Sequence, residues 1–151
     1  MISTEELYKY YLQYPKVCTD SRAILTGSIF FALKGPNFNG NAFAELALEQ
    51  GAALVVIDEE KYRKDDRYLL VENGLKSLQD LALMHRRHLN IPFIAITGSN
   101  GKTTTKELVR SVLAKKFKVL ATTGNLNNHI GVPLTLLSIK NDVEIAVIEM
   151  G

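Results

Sequence analysis

Between the apolar run Ile94-Ala95-Ile96 and a stretch of helical spacing stands Thr97-Gly98-Ser99-Asn100-Gly101-Lys102-Thr103-Thr104-Thr105. Small residues leaving a strand let backbone N–H groups ring an anion, and the first turn of the next helix adds its unpaired amides and its dipole. Gly98 and Gly101 permit close approach, Ser99, Asn100 and Thr104 complete the cradle, and Lys102 supplies a mobile cation for the β- and γ-phosphates. The Thr103 hydroxyl suits a Mg2+ ion ligated by the same phosphates. ATP is the ligand this pattern predicts, with Lys102 in the catalytic role. One feature departs from G-x-x-x-x-G-K-[ST]: Ile96 occupies the first glycine position, so the loop is shorter on its strand side. The plain alternative is a glycine-rich turn with a surface lysine, but such turns rarely combine G-K-T-T with an apolar strand before and an amphipathic helix after.

A divalent cation needs a carboxylate, and Glu149 closes the run Glu144-Ile145-Ala146-Val147-Ile148. If that run is a parallel strand, Glu149 emerges at its carboxyl edge, where open α/β sheets bind ligands. An ordinary surface glutamate at a strand end is the other reading. His85 and His88, in Met84-His85-Arg86-Arg87-His88, read as a solvated, cationic helix end in preference to a metal pair.

The elements that must position these groups follow from periodicity and punctuation. Ser3 and Glu6 form a capping-box pattern opening a helix over 4–13, which stops before Pro15. Strands are predicted at 17–19, 28–33, 53–58 and 68–71, and helices at 43–50 and 74–88, the latter carrying Leu75, Leu78, Leu81 and Leu83. Asn90-Ile91-Pro92 breaks the pattern. Beyond it come strands at 93–97, 118–121 and 143–149, helices at 102–115 and 131–138, and a polar loop over 122–129. This alternation makes the chain α/β: a small N-terminal α/β domain at 1–90, then at 91–151 the first part of a P-loop domain, Rossmann-like with a mostly parallel sheet.

The 151 residues, 46% hydrophobic and 23% charged, can bury a core. Residues 1–90 carry 11 Lys/Arg against 12 Asp/Glu and residues 91–151 carry 7 against 4, a surplus suited to a small polyanion and too slight for a nucleic-acid groove. The single cysteine, Cys18, reads as a small buried hydrophobe and fits a reducing, cytoplasmic setting. Neither an export signal nor an apolar run of membrane-spanning length is found.

T-G-x-x-G-K-T-T with isoleucine in the first Walker position resembles the Mur ligase family, the ATP-dependent amide ligases that build the peptidoglycan stem peptide. Thr123-Gly124-Asn125-Leu126-Asn127-Asn128-His129-Ile130-Gly131-Val132-Pro133-Leu134-Thr135, followed by Ile148-Glu149-Met150-Gly151, is most similar to the branch that joins D-alanyl-D-alanine to UDP-N-acetylmuramoyl-tripeptide. Thr19-Asp20-Ser21-Arg22 and Gly27-Ser28-Ile29-Phe30-Phe31-Ala32-Leu33-Lys34-Gly35 resemble the family's N-terminal domain, which holds the UDP end of that substrate. The resemblance implies those two substrates, ATP and Mg2+ in the cytoplasm, an acyl-phosphate route, Ser21 and Arg22 at the UDP moiety, Asn125 and Asn128 at the sugar, diphosphate or peptide, and Lys102, Thr103 and Glu149 in the roles given above. Taken alone, Asp20-Ser21-Arg22 is equally a turn with a local salt bridge, and Asn125 and Asn128 are more often turn formers.

Where the family's N-terminal motif continues with aspartate, a small residue and histidine, this chain reads Asn39-Gly40-Asn41, placing amides where a charged contact is usual. The carbamylated lysine, second-metal histidine, adenine contacts and third domain that the resemblance implies have no counterpart among these residues. The expectation is therefore a fragment that binds ligands without completing the reaction. A related ligase that shares the phosphate loop, such as another Mur enzyme or a folylpolyglutamate synthase, and a non-catalytic UDP-sugar module are the alternatives; the G-N-x-N-N segment speaks against the former.

Overall fold

The Ser3 hydroxyl accepts from the Glu6 amide at 3.2 Å while the Glu6 carboxylate accepts from the Ser3 amide at 2.8 Å, and this reciprocal cap starts α1 (Thr4–Gln13). The computed structural model describes residues 1–151, which divide into two compact units, Met1–Met84 and His85–Gly151. Each contains its own parallel sheet. No helix is long and apolar enough to cross a membrane.

In the first unit β1 (Val17–Cys18), β2 (Ile29–Phe31), β5 (Leu54–Ile57) and β6 (Tyr68–Leu70) lie in the order β1-β2-β5-β6, every neighbour parallel. The β2 and β5 strands are buried throughout, which accounts for their continuous apolar sequence. Phe30, Val55 and Ile57 pack with Cys18, Tyr68 and the Ala44, Ala47 and Leu48 face of α2 (Ala44–Glu49). A short antiparallel hairpin, β3 (Lys34–Gly35) with β4 (Phe38–Asn39), escapes periodicity because two-residue strands carry no repeat. A 3₁₀ turn at Gly40–Phe43 then leads into α2. Gly40 is required there, since a Cβ would sit 2.4 Å from the Leu33 carbonyl oxygen.

The amides of Asn39 and Asn41 face inward. Asn41 Nδ2 donates to Asp58 Oδ1 at 2.9 Å, Asn41 Oδ1 accepts from the Asp58 amide at 3.0 Å, and Asn39 Nδ2 donates to Glu59 at 3.0 Å. This pair therefore ties the hairpin to the end of β5. Asp58 also accepts from the Gly74 amide at 3.2 Å, where α3 (Gly74–His88) begins.

The division between units falls inside α3, ahead of the expected break at Asn90–Pro92. The last turn goes with the second unit because the His85 imidazole meets the Ile139 carbonyl oxygen at 3.1 Å and the Arg86 guanidinium covers the Phe93 ring at 3.7 Å from its centroid. His85 is therefore buried, correcting the reading of a solvated helix end at that residue, while Arg87, His88 and Leu83 are exposed.

In the second unit β7 (Phe93–Ile96), β9 (Ile145–Glu149) and β8 (Val119–Ala121) form a parallel sheet in the order β7-β9-β8. The central β9 strand buries Ala146, Val147 and Ile148. It begins at Ile145, later than expected, and the Glu144 carboxylate just before it accepts from the Lys118 amide at 2.7 Å. Two helices complete the unit: α4 (Lys102–Leu113), which leaves Leu108 and Val112 exposed and buries one residue, Lys106, and α5 (Gly131–Leu137).

Candidate functional site

Strand β7 leads through Gly98 and Gly101 into α4, and both glycines adopt positive φ, at 145° and 75°. Gly101 is the N-cap and brings no side chain to the first-turn amides. Serine, threonine or aspartate at that position usually occupies one of them. The Gly98–Thr104 segment therefore offers uncapped amides and the positive end of a twelve-residue helix. Lys102 folds back over the loop, its Nζ donating to the Gly98 carbonyl oxygen at 2.6 Å. Ile96 occupies the first Walker glycine position as the last paired residue of β7, in register with Glu149. The Met150 amide donates to its carbonyl oxygen at 2.9 Å. An isoleucine fits because the backbone there is sheet, and the tight turn starts only afterwards.

That register carries Glu149 to the loop. Thr103 Oγ1 donates to Glu149 Oε1 at 3.3 Å, so the two residues read as metal ligands lie together although 46 positions apart. Glu149 is 1% exposed, which removes the surface reading. Asn127 Nδ2 donates to the same oxygen at 2.8 Å, and the Glu149 amide donates to Thr122 Oγ1 at 2.9 Å. The Asn127 hydrogen bond is the main influence holding the Glu149 carboxyl below its usual range; Thr103 and the charges of Lys106 and Lys102 add to it, against the desolvation that raises it. The second oxygen, Oε2, is buried without a hydrogen-bond partner. An ionised carboxylate whose Oε1 meets a hydroxyl is a hard-oxygen pair of the kind Mg2+ takes alongside phosphates and water.

The polar loop is built around a close approach. A Cβ on Gly131 would lie 2.5 Å from the Leu126 backbone, so only glycine lets α5 start against the loop. Asn128 Oδ1 accepts from the Ile130 and Gly131 amides at 3.0 and 2.8 Å, the turn-forming behaviour open to it from sequence. Asn125 is exposed, and its carbonyl oxygen accepts from the Asn127 amide at 2.7 Å. Asn127, Lys106 and Thr122, which complete the surroundings of Glu149, were not singled out by the sequence reading. Asn127 resembled its neighbouring asparagines, and a lysine in an amphipathic helix is ordinarily assigned to the solvated face.

Ser21 and Arg22 lie in the first unit. Arg22 forms a two-pronged contact with Asp20, Nε to Oδ1 at 2.9 Å and Nη2 to Oδ2 at 2.8 Å, and this pairing pulls the Asp20 carboxyl down to about 2. The local salt bridge allowed by the sequence is thus formed. It borders a cleft of about 450 Å³ lined by Thr19, Asp20, Ser21, Arg22, Phe38 and Phe43. The Phe38 and Phe43 rings stack at 5.2 Å between centroids and 16° between planes. Phe43, the first residue of the helix expected over 43–50, closes the 3₁₀ turn beside this cleft. The cleft sets an aromatic wall, a hydroxyl and a guanidinium side by side.

Two family models match the chain: Mur ligase family, catalytic domain, over residues 13–102, and Mur ligase middle domain, over residues 96–151. The UDP-N-acetylmuramoyl-tripeptide–D-alanyl-D-alanine ligase of Bacillus subtilis is 43% identical over 137 residues, covering 89% of this chain and 30% of its own length. The Haemophilus influenzae ligase of the same name is 41% identical over 144 residues, covering 93% and 32%. Among solved structures, the MurF ligase of Thermotoga maritima in complex with ADP superimposes with a TM-score of 0.81 at 34% identity, covering 92% of this chain and 32% of that one. MurF from Acinetobacter baumannii gives 0.80 at 35% identity, covering 90% and 30%. The chain thus spans about 30% of the length of the relatives it matches.

Proposed function

The chain belongs to the Mur ligase family, and from that premise we propose that it is the substrate-gripping part of an ATP-dependent ligase joining D-alanyl-D-alanine to UDP-N-acetylmuramoyl-tripeptide. The observation that carries the proposal is the meeting of Thr103 and Glu149 beside the uncapped start of α4. The names of the curated relatives supply the substrates. In the proposed reaction the terminal carboxylate of the tripeptide takes the γ-phosphoryl group of ATP, releasing ADP and forming an acyl phosphate. The dipeptide amine then adds to the acyl carbon, inorganic phosphate leaves, and the amine loses its proton as the amide forms.

The residues of this chain serve the first step. The Gly98–Thr104 amides receive phosphate oxygens, and Lys102 exchanges the Gly98 carbonyl for the phosphates, placing its charge where negative charge moves during transfer. Thr103 and Glu149 would hold Mg2+, which when bound neutralises charge on the phosphate oxygens. Asn127 keeps Glu149 Oε1 turned toward Thr103. In the first unit Phe38 offers an exposed ring on which a uracil can stack, Ser21 offers a hydroxyl, and Arg22 can trade its exposed partner Asp20 for diphosphate oxygens at little cost. Asn125 is the loop amide assigned to the sugar or peptide, and Asn128 supports the loop. Nucleotide and UDP-linked substrates of this kind support a cytoplasmic setting.

Calorimetry on the chain tests both halves separately. Mg2+–ATP binding is expected to disappear in Lys102→Ala and to weaken in Thr103→Val. UDP-N-acetylmuramoyl-tripeptide binding is expected to survive both substitutions and to weaken in Arg22→Ala. Unchanged nucleotide affinity in Lys102→Ala would refute the phosphate-loop assignment.

A further inference from the structure

An ammonium group sealed inside a protein gives up its hydration and must be compensated by partners, so a buried lysine calls for an explanation. Lys106, one turn beyond Lys102 on α4, is 1% exposed. Its Nζ donates to the Thr122 carbonyl oxygen at 2.7 Å and lies 3.2 Å from Glu107 Oε1 and 3.7 Å from Glu149 Oε2. The Thr122 contact anchors the ammonium just past the end of β8. The Glu149 contact sets it against the carboxylate oxygen that no hydrogen bond reaches. Thr122 closes the circuit, because its hydroxyl accepts from the Glu149 amide.

Glu149 is therefore gripped from two sides, Oε1 by Asn127 and Thr103 and Oε2 by the Lys106 charge. We infer that Lys106 is a positioning residue for the divalent-cation site, holding the buried carboxylate in the orientation that pairs Oε1 with the Thr103 hydroxyl. The inference rests on the phosphate-and-metal reading above and extends it to a residue that touches neither phosphate nor metal. A nearby positive charge also repels an incoming cation. Burial decides between the two effects: water cannot take the place of Lys106, so its removal strands a charge in the interior, and the carboxylate turns toward other donors.

Lys106→Met keeps the length of the side chain and removes the charge. Mn2+ binding to the 151-residue chain is followed by electron paramagnetic resonance in the presence of inorganic tripolyphosphate, and tripolyphosphate binding without metal is measured by calorimetry. The Met variant is expected to bind Mn2+ about 10-fold more weakly or worse, the size of effect seen for groups that orient metal ligands, with metal-free tripolyphosphate affinity changed less than about 2-fold. In a Glu149→Gln background, Lys106→Met is expected to have no further effect on Mn2+. Equal or tighter Mn2+ binding by the single variant overturns the inference, as does an equal loss with and without metal, which a purely structural role would give. If Lys106→Met does not fold, the neutral pair Lys106→Met/Glu149→Gln is expected to fold, and its failure to do so likewise overturns the inference. A wild-type chain that binds no tripolyphosphate under either condition overturns the phosphate-loop reading and this inference with it. Wild-type binding alongside an unaltered Lys106→Met variant overturns this inference alone.

Discussion

Replacing Gly131 by alanine tests whether the polar loop is held where Glu149 needs it. The added Cβ would lie 2.5 Å from both the Leu126 carbonyl carbon and Cα and 2.7 Å from its oxygen, whereas ordinary contacts begin at 3.4 Å. The deficit is against backbone, so no rotamer change relieves it, and either the loop or the start of α5 must move. Overpacking costs about 1–3 kcal/mol, and a backbone clash at three atoms belongs in the upper part, about 2–3 kcal/mol. For a chain of this length that is about 4–12 °C in Tm. The displaced loop carries Asn127, whose 2.8 Å hydrogen bond orients Glu149, so Mn2+ binding with tripolyphosphate is expected to weaken along with stability. Urea unfolding followed by circular dichroism gives the first quantity and calorimetry the second. Gly124→Ala is the control: its φ is 56°, but nothing lies within 4 Å of the added Cβ. It bears the left-handed backbone penalty alone, about 1–2 kcal/mol. Gly131→Ala with wild-type stability, or destabilised less than Gly124→Ala, would show that the close approach to Leu126 does not hold the loop.

Asn128→Ala removes the acceptor for the Ile130 and Gly131 amides and is expected to cost about 1 kcal/mol in urea unfolding, typical of a lost cap. Burial is the main cause holding the His85 pKa below its ordinary value of 6.5, opposed by the Ile139 hydrogen bond, so the unfolded chain binds more protons just below that pH. Stability is expected to be flat above pH 6.5 on this account and to fall as pH drops below it, a slope that His85→Gln should reduce in melts from pH 7.5 to 5. On the proposed ligase reading, Lys102→Ala in a full-length protein is expected to lower turnover about 100-fold or more without a change in Tm, as for loss of a preorganised charge on a transferring group.

The strand–glycine turn–helix unit that carries the proposed phosphate loop was legible in the sequence because it is local: Gly98, Gly101, Lys102 and Thr103 are consecutive or nearly so, and a strand on one side with a helix on the other fixes how their amides point. The same holds for the Ser3–Glu6 cap, the buried β5 strand and the Asp20–Arg22 pair, each decided within a few residues. Of the contacts between distant segments, the approach of Glu149 to the loop was expected from its place at a strand end, whereas the partners that bury the other polar side chains were not legible. That Glu149 reaches Thr103 depends on its register with Ile96; that a lysine at 106 turns inward depends on the Thr122 carbonyl waiting at the end of another strand. His85 and Asn41 are buried for the same reason, since Ile139 and Asp58 provide partners that no helical period or turn pattern could announce. Residue types close in sequence determined which chemistry was on offer, and the tertiary structure decided which polar groups could leave water, because burial is tolerated only where a partner from elsewhere in the chain is already in place.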